Sequence, residues 1–224
     1  LSYLYAFALL LSGYSLDAVE ARLRDVDTDD DGRGAALRAL VAAAQGQLPE
    51  AIELSQLALR SLPEDELISR ALAMWILSIS QTATSDVWTQ SRALDEVVRM
   101  GQESGSLTVT VAALCYQAAL CMRLGQLHKA KAMLEQALGT ATTRRGRVLP
   151  VAGEALMGLG ELHREWNDLE AATRYLEEGI ELTRQWRGIA VLSGYISLAR
   201  VRRAQKDTHG AQRIIQKAMR LARG

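Results

Sequence analysis

The sequence predicts an all-α protein, a right-handed superhelical α-solenoid of about six helix-turn-helix units. Three observations predict it. A short pattern returns along the chain at a nearly fixed period. Small residues recur at the same places in each return. The composition favours helix, with abundant Ala, Leu, Arg and Glu but only 3 prolines and 1 phenylalanine in 224 residues.

The pattern is plainest in two stretches, "RLGQLHKAKAMLEQAL" (Arg123 to Leu138) and "EWNDLEAATRYLEEGIEL" (Glu165 to Leu182). Each unit is anchored on the residue at the turn between its two helices. In chain order the anchors are Gly13, Gly46, Ser85, Gly125, Asn167 and Lys206. The first spacing is 33, and the later ones are 39, 40, 42 and 39. Glycine at three of these anchors suits the left-handed conformation that closes a helix.

Around the last five anchors the side chains repeat in size. Seven residues before stand Ala39, Ser78, Ala118, Gly160 and Ala199. Five after stand Ala51, Gln90, Ala130, Ala172 and Ala211. Nine after come Ser55, Leu94, Leu134, Leu176 and Ile215, and twelve after come Ala58, Val97, Ala137, Gly179 and Ala218. Small residues let two helix axes approach, and the larger ones fill the gaps between. Such a unit cannot bury its apolar face alone, so units stack and bury one another, leaving a concave side. Twelve helices are expected.

These residues resemble tetratricopeptide (TPR) repeats. Ala118, Ala130 and Ala137 fall on the signature small positions of one unit, and Gly160, Ala172 and Gly179 on those of the next. Pro63 matches the proline that often closes a unit. The period exceeds the family's usual one, and the extra residues are read as helices longer by one or two turns. Long units of this kind resemble the repeats of the large ATP-binding regulators of the LuxR family, the MalT type. The stretches "GELHREWNDLEAATRYLEEGIELTRQWRG" and "GYISLARVRRAQKDTHGAQRIIQKAMRLAR" carry that resemblance, which extends over 1–224 as a single helical-repeat domain. In that family an N-terminal ATPase module precedes the repeats and a helix-turn-helix follows them. The resemblance implies a sensor fragment of a larger regulator, with ATP binding in an absent N-terminal module and no cofactor in this fragment.

The bulk properties bound the function. Lys+Arg and Asp+Glu both number 26, so the formal net charge is zero and the broad positive field of a nucleic-acid binder is missing. No direct nucleic-acid contact is expected. Charge is unevenly placed, however. From Arg200 onward there are eight basic residues and one acid, Asp207, whereas Asp17 to Asp31 holds seven acids and two arginines. We read these as solvated surfaces. Cys115 and Cys121 lie six apart, on roughly opposite faces of a helix, and read as reduced, buried thiols of a cytoplasmic protein. The opening "LSYLYAFALLLSG" is too short to span a bilayer, so no membrane partner is expected. The absence of an initiator Met fits a fragment.

Several motifs are set aside. "DTDDDG" matches the first half of a calcium loop, but the twelfth position is Arg38 where a bidentate acid is needed, so it reads as an acidic loop. "GLGELH" lies within a helix rather than after a strand, and lacks the third glycine of a dinucleotide fingerprint. His128, His163 and His209 fall in different units, and His163 reads as packing rather than a metal ligand. No catalytic spacing is present, and the protein is read as a non-enzyme. No G-x-x-x-x-G-K-[ST] phosphate loop occurs. Trp88 and Trp166 flank turns and read as caps of the wedge between helices.

The candidate site is the concave face. Trp75 lies on a first helix, one residue past a core position, with Cys115, Met157 and Ile196 as its equivalents. Arg123, Glu161, Arg164, Arg200 and Arg203 neighbour them. Apolar patches among arginines suit an anionic or polyhydroxylated ligand, or a peptide. The expected function is effector sensing: an unknown small molecule or regulatory protein binds there and controls self-association and transcription activation. The alternative is a generic TPR scaffold holding a partner protein's helix or tail.

Overall fold

A computed structural model describes residues 32–81, 86–143, 145–183 and 189–221. Among these residues ten helices run in order: α1 (Gly32–Ala44), α2 (Leu48–Ser61), α3 (Leu67–Ser80), α4 (Val87–Glu103), α5 (Leu107–Arg123), α6 (Leu127–Thr140), α7 (Ala152–Glu165), α8 (Leu169–Thr183), α9 (Ile189–Ala204) and α10 (Thr208–Leu221). Apart from an isolated Thr142–Val148 bridge, the described residues hold no β-structure. The predicted all-α repeat fold is therefore what forms. The unit expected around Gly13 and the "DTDDD" run lie outside the described residues.

Four of the six anchors sit where the repeat places them; Ser85, like Gly13, lies outside the described residues. Gly46, Gly125, Asn167 and Lys206 all take positive φ, between 60° and 78°. At each, one backbone bond closes the finished helix: Gln47 N–H donates to Ala42 O, Gln126 to Cys121 O, Asp168 to His163 O and Asp207 to Arg202 O, all at 2.9 Å. A carboxylate then starts the next helix at three places. Asp86 accepts from the Trp88 and Thr89 amides at 3.0 Å, Asp168 from Ala171 at 3.1 Å, and Asp207 from Gly210 at 2.8 Å.

The chain forms two compact units whose boundary falls inside α5, at residues 113 and 114. In the first, α1 packs on α2 and α3, and α3 on α4. Its core gathers Ala35, Leu37, Ala39, Ala51, Ala58, Leu72 and Ile76. In the second, α7 packs on α8, α9 on α10, and the pairs join through α8–α9 and α7–α9 contacts. Two clusters fill it, one around Leu134, Leu159 and Leu162 and one around Leu176, Ile180, Val191 and Val201. Within each unit the helices just named thus meet in chain order, as a stacked repeat requires.

The repeated small positions are where helices touch. Ala39, Ala51, Ala58, Ala118, Ala130, Ala137 and Ala172 are all fully buried. Glycines go further. On α7 and α8, Gly153 and Gly179 face each other so closely that a Cβ on Gly179 would lie 2.8 Å from Gly153 O and 3.0 Å from Met157 N. Gly158 of α7 receives the end of Leu134 from α6, and Gly194 of α9 receives Met157 and Ile180.

Two expectations change. The extra length of the units is not always helix. The 42-residue spacing between Gly125 and Asn167 holds two 14-residue helices, α6 and α7, and the described residues between them, 141–143 and 145–151, are not helical. Among the described residues α4 and α5, at 17 residues each, are the longest helices, followed by α9 at 16. Trp88 does not cap a wedge either. It follows the Asp86 cap on the outer face of α4 and is 69% exposed, because Gln90, two positions on, takes the inward place.

Candidate functional site

The second unit brings three of the seven candidate residues into contact, on the face formed by α7 and α9. Glu161 of α7 is at the centre. Its carboxylate accepts from Arg164 Nε on its own helix and, across to α9, from Ser197 Oγ at 3.0 Å and Arg200 Nη1 at 3.1 Å. Arg164 also pairs with Glu165. The Glu161 side chain is only 19% exposed, whereas Arg200 is 60% exposed. Burial works against the Glu161 charge, but the hydrogen bond and charge of Arg164, with Ser197 and Arg200, hold its carboxyl below the usual range. The cluster therefore stays ionised and ties two repeats together through one carboxylate.

The local fold explains why these groups meet. Glu161 and Arg200 are 39 residues apart, the period of the repeat here, so they hold equivalent places on successive first helices. Arg164 and Arg203 are equivalent in the same way. Arg203 is exposed one turn beyond Arg200, and Arg123 lies at the end of α5. Met157 is 8% exposed, directed against Gly179 and Gly194. Ile196, its equivalent on α9, is 49% exposed. Trp75 lies in the first unit, half-buried against its core, with its indole Nε1 buried and without a hydrogen-bond partner.

Two participants escape a reading of the sequence. Ser197 is invisible there as a single hydroxyl, although it stands one helical turn before Arg200. Glu154 stands two turns before Glu161 on the same stripe of α7. Burial raises its carboxyl to about 7. The neighbouring Cys115 thiol on α5 is pushed well up, first by burial and then by the Glu154 charge. The stripe thus changes from a carboxyl poised near neutrality to a fixed ion network over two helical turns. Cys121 packs its sulfur 3.9 Å from that of Met133, and both cysteines are free thiols.

His163 packs, while His128 and His209 are exposed. His163 meets the rings of Trp166 and Tyr175 and lies 3.2 Å from the Asp168 carboxylate. Among the described residues no group of three or more His, Cys, Asp or Glu is placed to hold a metal. No helix there is long and apolar enough to cross a membrane. A second concavity, a cleft of roughly 600 Å³ between α8 and α10, has Tyr195 and Leu198 in its lining. Some of its charges are engaged within the fold: Arg202 pairs with Glu177 at 3.0 Å, and Lys217 Nζ sits 5.0 Å from the Tyr195 ring centre.

The pattern defining the MalT-like TPR region matches residues 32–224. The chain belongs to the MalT-like TPR family. This MalT-like TPR region has no detectable sequence relative among curated proteins. It is similar in fold to several solved structures. A Rap protein complexed with Competence and Sporulation Factor superposes with a TM-score of 0.73 at 14% identity, over 91% of this chain and 58% of that one. NprR in complex with its cognate peptide NprX gives 0.72 at 16%, over 99% and 66%. A Podosopora anserina putative kinesin light chain, with nearly identical TPR-like repeats, gives 0.51 at 19%, over 85% and 94%. The MalT-like region thus spans less than two thirds of the Rap and NprR chains, and these likenesses establish its fold.

Proposed function

We propose that this MalT-like TPR region is the sensing and protein-interaction domain of a LuxR-family regulator, and that it binds an extended peptide or a peptide-like effector on the α7–α9 face. The observation that carries the reading is the Glu161 cluster. It spans two repeats, it is partly open to solvent, and its arginines are the groups a carboxylate or a backbone carbonyl would engage. A ligand that draws Arg200 away from Glu161 favours one arrangement of α7 against α9 over another. Such unequal affinity is what moves a conformational equilibrium. In the parent regulator that shift would govern self-association and transcription activation. The NprR structure, solved with its cognate peptide, and the Rap structure, solved with Competence and Sporulation Factor, support a peptide as the kind of ligand. Arg123, Met157 and Arg203 are proposed as further contributors within the second unit, and Trp75 as a separate candidate in the first.

Selection of binders from a display library of short linear peptides tests this. Selected peptides are expected to bind the purified chain saturably. Glu161→Arg, which repels Arg164 and Arg200 and scatters the cluster, should weaken them by about tenfold or more while far-ultraviolet circular dichroism stays unchanged. Peptides that bind equally well to the Glu161→Arg chain would remove the α7–α9 face as the site. Capture of one folded protein, with no short peptide selected, would favour the plain scaffold.

A further inference from the structure

The repeat supplies an internal standard for the cleft between α8 and α10. One period earlier the corresponding groove runs between α6 and α8 over α7, and a row of rings closes it. His128 of α6 lies 5.8 Å from Trp166 at the end of α7, Trp166 lies 5.4 Å from His163, and His163 lies 5.1 Å from Tyr175 of α8, all between ring centres. The same places relative to the next anchor hold Glu170, Gln205, Arg202 and Ile214, none of them aromatic. Two of these side chains are drawn toward α8: Gln205 Nε2 donates to Thr173 Oγ1 at 3.2 Å, and Arg202 Nη2 to Glu177 Oε1 at 3.0 Å. Ile214 is shorter than the tyrosine it replaces. The roughly 600 Å³ between α8 and α10 is the space that the rings no longer fill.

A following repeat is not what closes such a groove. The α6–α8 groove has α9 and α10 beyond it, yet the cluster beneath its rings draws on α5 to α8 and on neither of those two helices. Both walls of the α8–α10 cleft are likewise present, and the missing part is aromatic side chain.

Two observations say what would fill it. Tyr195 lines the cleft and is 4% exposed, but its hydroxyl has no hydrogen-bond partner among the described residues. A hydroxyl so placed gains most from a ligand that accepts its proton in a hydrogen bond. The charges of the lining are also unevenly committed. Glu177 pairs with Arg202, Asp207 accepts from the Gly210 amide at 2.8 Å, and Glu181 is engaged as well. Arg213 and Lys217, one turn apart on α10, hold no ion pair among the described residues, and Lys217 only rests over the Tyr195 ring. The uncommitted charge is therefore positive.

We propose that this cleft is a binding site for a small aromatic carboxylate, whose ring takes the place held one repeat earlier by the Tyr175 ring and whose carboxylate accepts from the Tyr195 hydroxyl and pairs with Arg213 and Lys217. The ring lies against Ile180, Leu198 and Ile214, and the bound acid ties α8 to α10 as the row of rings ties α6 to α8. The site shares no residue with the Glu161 cluster.

The test is calorimetric titration of the chain with 2-naphthoate, 3-phenylpropanoate and indole-3-acetate. At least one should saturate with a dissociation constant below about 1 mM and raise the melting temperature as its concentration rises. The amide of that acid, which lacks the charge, and hexanoate, which lacks the ring, should bind about tenfold more weakly. Ile214→Tyr restores the ring of the preceding repeat, so it should weaken binding by about tenfold or more and leave the melting temperature at or above the parent's. Arg213→Glu with Lys217→Glu, both at exposed positions, should also cost about tenfold, and Tyr195→Phe roughly threefold to tenfold. The Glu161→Arg chain should bind the acid as the parent does, which separates this proposal from the α7–α9 reading. No saturation by any of the three acids up to about 10 mM, equal binding of the amide or of hexanoate, or unchanged binding by the Ile214→Tyr chain would overturn the proposal. So would tighter binding of a tripeptide ending in phenylalanine than of 3-phenylpropanoate, because the cleft would then belong to a peptide C-terminus.

Discussion

Gly179→Ala should lower the stability of the protein by about 2–3 kcal/mol. The added methyl would lie 2.8 Å from Gly153 O and 3.0 Å from Met157 N, and both are backbone atoms of the facing helix. No rotamer change relieves a contact with backbone, so α7 and α8 must separate. Separation costs the packing of Leu176 and Ile180 on α8 and Met157 on α7 together. Alanine gains up to about 1 kcal/mol over glycine in a helix, and the stated loss is net of that gain. The control is Gly139→Ala on α6. A Cβ there meets nothing within 4 Å, so the same substitution should stabilise by roughly 0.5–1 kcal/mol. Urea midpoints of the two variants against the parent decide the matter. A stabilising Gly179→Ala would mean that α7 and α8 do not approach as described.

The second large effect is at Leu134. It is fully buried, and its Cδ2 methyl rests where Gly158 of α7 lacks a side chain. Leu134→Ala should cost about 3 kcal/mol, from lost transfer energy and from the cavity left behind. The cavity opens toward Gly158, and Gly158→Ala places a methyl in it. The double variant should therefore be less destabilised than the sum of the singles, by about 1 kcal/mol. Gly158→Ala alone should cost little, because the atoms it meets are the flexible end of Leu134. Additive effects within error would show that α6 and α7 do not pack through this pair.

Much of this fold is legible because the repeat states the same requirement several times. Any one alanine is uninformative, but Ala51, Ala130, Ala172 and Ala211 at one offset from four of five consecutive anchors imply a helix crossing, and all four are buried. The anchors are legible even where glycine is missing: Asn167 and Lys206 take the conformation that Gly46 and Gly125 take. What the repeat does not state is harder to read. The placement of Met157 depends on two glycines, Gly179 and Gly194, that belong to other helices. A reading along α7 sees a residue at a surface register and not the room cleared for it. Trp88 defeats the same kind of reading, because nearness to a turn says nothing about which side of the helix a residue occupies. Gln90 takes the inward position there, buried with its side-chain Nε2 unpartnered. The Glu161–Arg200 bridge is half visible. The repeat puts both residues on one face, but their contact follows only from their being one period apart.

The central claim is that recognition belongs to the face of α7 and α9, organised by Glu161. Hydrogen–deuterium exchange of the chain, with and without a saturating selected peptide, tests it most directly. Slowed exchange concentrated in 157–164 and 193–203, and lost in the Glu161→Arg chain, is the predicted result. Slowing confined to α8 and α10, with α7 and α9 unchanged, would contradict it.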